Sequence, residues 1–555
     1  MKSILSVAGK PARLLRYVLL SIISGAFSFA FMAFVNTLIN AMIKGKSHTY
    51  NPSNIATFAA IVFLFVLSRR VLAVAVINLS QRMFWQIRKD IINLMLQSEY
   101  EMFVRNKAGL HASLVRDVNV LTLASINIIQ FSSAVVIIVS CFVYMAIISP
   151  LLFAISLAVL ATGVFVYYRS MQKNERYLQR ARDLEDNFIR SFNALLNGFK
   201  EIHLSPGKGK DIFESEIEQL ETASIANNRK AYVGFLNNQV IGQVLFNCLI
   251  GVLLLGLTFL LKLEVQVVVN FLFILLFLLG STENAMVILP GLIQAKVSVA
   301  RIAEMQQALS STELQEYSSD TAWHKDNFND LVVDHIIYSY QKEGLQQDVA
   351  QFTIGPVQLR VSKGDVIFIY GGNGSGKTTF IHALLGLLKP QQGTIYFNGT
   401  RLTEENYKNY RMLFGVVFSD FYLFDKLFGL RQVDTARVQR YLRLFELDNK
   451  VTFENNAFSS RDLSTGQRKR LALISVLLED KPLLVLDEWA ADQDPHFRRK
   501  FYLEIIPILQ QEGYTIIAIT HDDKYYHCAD KLYEMDYGKL KHIPLEVPQD
   551  KVFPM

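Results

Sequence analysis

A chain of 555 residues exceeds what one hydrophobic core usually holds, so at least two domains are expected. It is 51% hydrophobic and only 19% charged, where a soluble enzyme carries about a quarter, and the apolar residues gather in blocks before residue 300, which points to membrane segments. The net charge of +6 is too small to argue for nucleic acid, and Cys141, Cys248 and Cys528 form no CxxC or Cys/His cluster, so buried free thiols are expected rather than disulfides or zinc.

The first apolar stretch runs to about residue 43. It is too long for the apolar region of a signal peptide and shows no obvious small-residue cleavage site, so it reads as a retained transmembrane helix. A span needs about 20 mostly apolar residues. Six candidates follow in order: 14–43, 54–78, 124–148, 150–168, 232–262 and 264–293. The third and fourth, and the fifth and sixth, are joined by very short connections. On the other side lie two long charged stretches, about 79–123 and 169–231, almost free of Pro and Gly over long runs. They read as helices continuing beyond the bilayer.

Lys and Arg placement orients these segments. Lys2, Lys10, Arg13 and Arg16 precede the first span, and Arg82, Arg88, Lys89, Arg105, Lys107 and Arg116 fall in the first long stretch. Arg169, Lys173, Arg176, Arg180 and Arg182 fall in the second. All belong on the cytoplasmic side, with Lys44 and Lys46 a mild exception. At membrane depth, Arg69 and Arg70 in the second span and Glu283 in the sixth are candidates for a substrate-accessible, water-filled cavity. Neighbouring arginines lie about 100° apart on a helix, so one of the two is expected to face inward. The fifth span carries Asn237, Asn238, Gln239, Gln243 and Asn247, which suit either interhelical hydrogen bonds or a cavity wall.

After residue 302 the composition changes. The polar segment 303–327 reads as a linker, and 328–555 alternates short apolar runs with amphipathic stretches, an α/β pattern. In DVIFIYGGNGSGKTTF, an apolar strand enters Gly371, Gly372, Asn373, Gly374, Ser375, Gly376, Lys377, Thr378 and Thr379, and a helical stretch follows. Glycines let backbone N–H groups turn inward around phosphates, Lys377 adds a positive charge near the β/γ-phosphates, and the Thr378 hydroxyl can ligate Mg²⁺. The following helix N-terminus adds partial positive charge. Further on, KPLLVLDEWAADQDPHF ends a buried strand in Asp487 and Glu488. Asp487 can hold Mg²⁺, and Glu488 is placed to polarise an attacking water. TIIAITHDD ends another apolar strand at His521.

Between these stands RDLSTGQRKRLALISVLL, with Ser464, Thr465, Gly466 and Gln467 at a helix start. The phosphate loop, LSTGQ, Asp-Glu and His in this order, preceded by six spans, resemble the ABC transporter family over essentially the whole chain. The resemblance implies a membrane all-α six-helix domain, residues 1–302, fused to a soluble α/β P-loop ATPase domain of ABC type. It also implies a half-transporter that dimerises, most simply with a second copy of itself. Each ATP would lie between the 371–379 loop of one subunit and Ser464, Thr465 and Gly466 of the other. His521 would contact the γ-phosphate, Asp494 would lie across the dimer, and Tyr340 would stack on adenine, the alternative for Tyr340 being an ordinary strand aromatic.

Two departures stand out. Thr465 replaces a glycine of the usual LSGGQ, which a small residue can fill. Ser419, in LFGVVFSDFYLFD, stands where the family has a Gln that senses Mg²⁺ and water and is a candidate for the metal site with Thr378 and Asp487; either a bridging water or Asp420 takes over the longer reach, or coupling differs in detail. The segments LDEWAADQDPHFRRKFY and FSDFYLFD are closer to bacterial exporters of cyclic and modified peptides, of the microcin, syringomycin and pyoverdine-precursor type. That resemblance implies a half-transporter of the bacterial inner membrane moving a peptide-like substrate out of the cytoplasm. No cysteine precedes Cys141, so a leader-cleaving cysteine-protease domain is not expected. A lipid or lipid-linked-glycan flippase shares the same motor. A non-transporting ATP switch would not need the full set of Lys377, Asp487, Glu488 and His521, and an importer does not suit the fused exporter order.

Overall fold

The computed structural model describes residues 11–43, 52–309, 328–339, 352–403, 406–430, 433–459 and 463–545. Lys2, Lys10, Lys44 and Lys46 lie outside them. The chain divides into two compact units, a helical one before segment 310–327 and a mixed one after it.

Among the described residues, six helices are long and apolar enough to cross a membrane. The helical unit comprises α1 (Pro11–Ile43), α2 (Pro52–Gln97), α3 (Tyr100–Ala112), α4 (Val118–Ile148), α5 (Pro150–Asn197), α6 (Phe199–Leu204), α7 (Pro206–Ile212), α8 (Glu218–Val252) and α9 (Val265–Leu309). One residue separates α4 from α5. Ser149 is extended at φ −154°, as a residue before proline prefers, and Pro150 takes the first helical position, where its missing N–H is no loss. The charged stretches do continue the spans as helix, to Gln97 in α2 and to Asn197 in α5.

The core of this unit gathers Met32, Cys141, Met145, Leu152, Phe246, Phe271 and Ile274 from α1, α4, α5, α8 and α9. Polar side chains also join the helices: Ser21 of α1 lies 3.0 Å from Ser132 and 2.9 Å from Ser133 of α4, and Asn36 donates to Tyr144 Oη at 3.2 Å. Gly25 lets α1 and α4 close up, since a Cβ there would stand 2.6 Å from Val136. Of the cysteines, Cys141 is buried, Cys528 is half-buried, and Cys248 is exposed on α8, contrary to the expectation of burial. Helix α9 runs to Leu309, past the expected boundary at 302, because Ile302, Met305 and Leu309 pack on Ile87, Ile91 and Leu110.

In the mixed unit, a six-stranded sheet has the order β12-β11-β3-β10-β9-β6. Its strands are β3 (Val366–Tyr370), β6 (Phe414–Val417), β9 (Leu483–Asp487), β10 (Thr515–Ile519), β11 (Lys531–Asp536) and β12 (Lys539–Ile543). All neighbours are parallel except β11 and β12. Strands β9 and β10 are buried throughout, which explains their unbroken apolar sequences. Alternate residues face opposite layers. Ile367, Ile369, Val485 and Ile517 pack with Phe380, Ile381 and Leu384 of α10 (Lys377–Leu384), while Phe368, Leu484, Leu486 and Ala518 pack with Leu471, Ile474 and Leu477. A second sheet, ordered β2-β1-β4-β5, is antiparallel and built from β1 (Asp330–Ser339), β2 (Thr353–Ser362), β4 (Gln392–Phe397) and β5 (Thr400–Arg401).

Candidate nucleotide site

The site is a consequence of strand register. In the parallel sheet Ile519 pairs with both Ile369 and Asp487, so β3, β10 and β9 end level with one another. The segments leaving those ends are Gly371–Lys377, Thr520–His521 and Glu488. Ligands of open α/β sheets bind at such carboxyl ends.

The loop after β3 needs its glycines for two different reasons. A Cβ on Gly371 would meet Met535 O at 2.1 Å, and Gly374 and Gly376 have φ of +77° and +105°. Lys377, only 6% exposed, donates through Nζ to Gly371 O at 2.9 Å and to Gly372 O at 3.0 Å, which aims its charge into the loop. Thr378 and Thr379 follow in the first turn of α10. Asn373 stands between two glycines at the loop's turn, and Ser375 is buried.

Asp487 is 2% exposed, and its buried Oδ2 has no hydrogen-bond partner among the described residues. Burial pushes its carboxyl up, while hydrogen bonds from the Ser419 hydroxyl and backbone oppose that rise. Thr378, Ser419, Asp420 and Asp487 line one cavity. A bare, buried carboxylate oxygen beside a threonine hydroxyl fits a magnesium ion, as hard cations prefer such oxygen donors. His382 of α10 lines the same cavity, and sequence reasoning missed it; burial lowers its pKa, against the opposing pull of Asp487 and Asp420. Its one prior signal is its place one turn after Thr378, on the same face as that residue.

Glu488 sits in the left-handed region at φ +48°, its N–H donating to Ile519 O at 3.1 Å. Its Oε1 lies 3.1 Å from His521 Nε2. A non-glycine residue held in that region marks strain that the surroundings enforce. Part of that enforcement comes from Lys469, whose Nζ donates to Glu488 O at 3.0 Å and pairs with Asp492 at 2.6 Å.

Ser464 caps α13 (Thr465–Leu478), the helix that begins with the glycine-bearing signature. Its Oγ accepts from Gln467 N and its N–H donates to Gln467 Oε1, a reciprocal capping box. The Gln467 amide is thus held within its own first turn. Gly466 packs so closely that a Cβ would lie 2.7 Å from Asp492 O. Among the described residues no hydrogen bond joins Ser464, Thr465 or Gly466 to the 371–379 loop.

Asp494 begins the helix Pro495–Lys500, accepting from Phe497 N at 2.9 Å, and takes a second bond from Arg470 Nη2 at 2.8 Å. That backbone bond, with Arg470, holds its carboxyl below the usual carboxylate range. Trp489 is buried, donating to Lys469 O at 2.9 Å and packing on Phe501 at 4.3 Å between ring centroids. Lys469, Arg470, Gln493 and Arg498 were not singled out from the sequence, although the unusual WAADQDPHFR run marked their neighbourhood. Tyr340 lies outside the described residues.

In the membrane unit, Glu283 accepts from Gln243 Nε2 at 2.6 Å, which joins α9 to α8. Arg69 lies 5.8 Å from the Phe65 ring, and Arg69 and Arg70 are both exposed on α2. Among the described residues no ion pair brings either arginine to Glu283.

This geometry, a phosphate-cradling loop beside a paired glutamate and histidine, defines a nucleoside triphosphatase carried on membrane-spanning helices. The ABC transporter transmembrane region model matches residues 14–282 and the ABC transporter model matches residues 354–491. The chain is similar to ATP-binding protein SyrD of Pseudomonas syringae pv. syringae, 28% identical over 540 residues, covering 94% of this chain and 92% of that one. Its nucleotide unit is similar to the energy-coupling factor transporter ATP-binding protein EcfA1 of Staphylococcus aureus strain MRSA252, 29% identical over 217 residues, 38% of this chain and 78% of that one. The structure of a bacterial Atm1-family ABC exporter with ATP bound shares the fold, with TM-score 0.78 and 16% identity over 96% of this chain and 94% of that one. The chain belongs to the ABC transporters, with the transmembrane region and the ATP-hydrolysing unit carried on one chain.

Proposed function

We propose that two copies of this chain form a homodimer in the bacterial inner membrane and export a peptide-like substrate from the cytoplasm. The observation that carries the motor assignment is the Glu488–His521 pair, 3.1 Å apart and one strand from the Lys377 loop. In this reading Lys377 and the N–H groups of 371–379 bind the β/γ-phosphates. Ser464, Thr465 and Gly466 complete the site from the second copy, in keeping with their lack of bonds to their own loop. Glu488 accepts a proton from the attacking water as its oxygen bonds to the γ-phosphorus. The bond to the bridging oxygen breaks, and ADP and phosphate leave. His521 holds the γ-phosphate and orients Glu488. Thr378 and Asp487 would hold a magnesium ion, with Ser419 beside them on the same cavity wall. Such an ion neutralises charge on the β/γ-oxygens.

Closure of the nucleotide units drives the membrane helices from inward-open to outward-open, which requires ATP to bind the closed state far more tightly than the open one. The peptide cargo is supported by the LDEWAADQDPHFRRKFY run and by the match to SyrD along nearly the whole chain. Glu283 and the exposed Arg69 and Arg70 are its candidate contacts at membrane depth. The test is ATP hydrolysis in lipid nanodiscs with a panel of cyclic peptides and peptide siderophores, Glu488→Gln serving as the blank. A peptide class that raises turnover over a flat blank supports the reading. Turnover that ignores peptides and follows lipid composition would replace it with a flippase.

A further inference from the structure

Arg498 stands where three segments of the nucleotide unit meet. Its Nη1 donates to Asp522 Oδ1 at 3.1 Å, and Asp522 is the neighbour of His521. Its Nη2 donates to the carbonyls of Ala491 at 3.1 Å and Gln493 at 3.2 Å. Asp522 is held from its other side by Tyr502 Oη at 2.9 Å, and its N–H donates to Thr520 Oγ1 at 3.1 Å. The chain of contacts continues at Gln493, which is 4% exposed. Its Nε2 donates to Gly466 O at 3.1 Å, and its Oε1 accepts from Arg470 Nε at 2.8 Å. Arg470 in turn holds Asp494 and places its Cζ over the Phe497 ring, 3.3 Å from its centroid. An unbroken run of hydrogen bonds therefore joins Gly466, at the start of α13, to the loop that carries His521.

We propose that Arg498 is a positioning residue that makes the His521 loop and the Ser464–Gly466 segment move as one body. The inference rests on the reading that Ser464–Gly466 meets the nucleotide held by the second copy. Under that reading, events at one ATP site reach the histidine of the other through Gln493, Arg498 and Asp522. The residue type matters. A guanidinium is a planar fork that bonds a carboxylate with one arm and two carbonyls with the other, and an ammonium cannot span those directions at once. Without the fork, Asp522 keeps Tyr502 but loses its tie to 491–493, so His521 no longer follows the signature segment. Such networks act cooperatively, and a double-mutant cycle measures the linkage.

The test uses the full-length protein in lipid nanodiscs, with hydrolysis followed against ATP concentration and equilibrium binding of a fluorescent ATP analogue measured in parallel. Variants are Arg498→Lys, Arg498→Ala, Asp522→Asn and the double variant Arg498→Ala/Asp522→Asn. Each single change is expected to lower kcat roughly tenfold, equivalent to about 1.4 kcal/mol in the barrier, with nucleotide affinity within about twofold of wild type. The Hill coefficient should fall from above one towards one, and the double variant should be no slower than the worse single. Arg498→Lys should keep the thermal midpoint of the wild type, so it and Asp522→Asn decide the matter if Arg498→Ala fails to fold. The proposal is overturned by wild-type kcat in Arg498→Lys, by a wild-type Hill coefficient of one, or by single losses that multiply in the double variant. Turnover in Glu488→Gln would overturn the assignment of the base and leave the Arg498 result to be judged separately.

Discussion

Lys377 and Glu488 carry different burdens, and their substitutions should separate cleanly. The Lys377 ammonium is buried against the carbonyls of Gly371 and Gly372. Lys377→Ala removes the charge meant for the phosphates, so ATP binding should be nearly abolished, which equilibrium binding of labelled ATP would show. Glu488→Gln keeps the shape and loses the basic oxygen. Nucleotide binding should persist while hydrolysis falls by about two orders of magnitude or more, as single-turnover assays would reveal. His382 should leave a mark on stability. Its pKa is lowered by burial, so the unfolded chain binds the extra proton first. Stability should therefore be lost as pH falls from the unfolded value, about 6.5, towards the folded one. In His382→Phe that part of the slope should vanish from urea unfolding curves taken between pH 7 and 5.

At the scale of elements, α13 depends on a backbone approach that leaves no room for a side chain. Gly466→Ala would place a methyl 2.7 Å from Asp492 O. It should shift the helix start, destabilise the unit by about 1–3 kcal/mol and slow hydrolysis, with thermal unfolding and turnover measured on the same preparation. The elements themselves were largely legible in the sequence. Strands β9 and β10 are unbroken apolar runs because both their faces are covered, and the spans are apolar because lipid is their solvent. What was not legible is partnership across the chain. Nothing in the residues around 419 says that Ser419 shares a cavity wall with Asp487, and nothing near 470 says that Arg470 reaches Gln493 and Asp494. Those contacts depend on strand order, which a linear pattern does not encode. The continuation of α9 past 302 is hidden for a related reason: the segment after 302 is polar on average, but Met305 and Leu309 lie on one buried face. The exposed Cys248 was likewise invisible, since a residue within an apolar span can face lipid as readily as the core.

At the scale of the whole molecule, the proposed dimer makes the nucleotide site of one chain half a site. The signature segment makes no hydrogen bond to its own phosphate loop among the described residues, so a single 63.2 kDa chain is expected to hydrolyse poorly. Nanodiscs sorted by mass should show turnover only where two copies are present. Mixing wild type with an excess of Lys377→Ala should depress activity more steeply than dilution alone.

The single residue between α4 and α5 has a consequence for how the protein is made and for what it shows to the outside. With Ser149 alone at the turn, no loop separates these two spans. They are expected to enter the bilayer together as a helical hairpin during synthesis. Once in place, that corner offers no segment long enough for a protease to cut or an antibody to grasp, so the face turned away from the cytoplasm is nearly silent there.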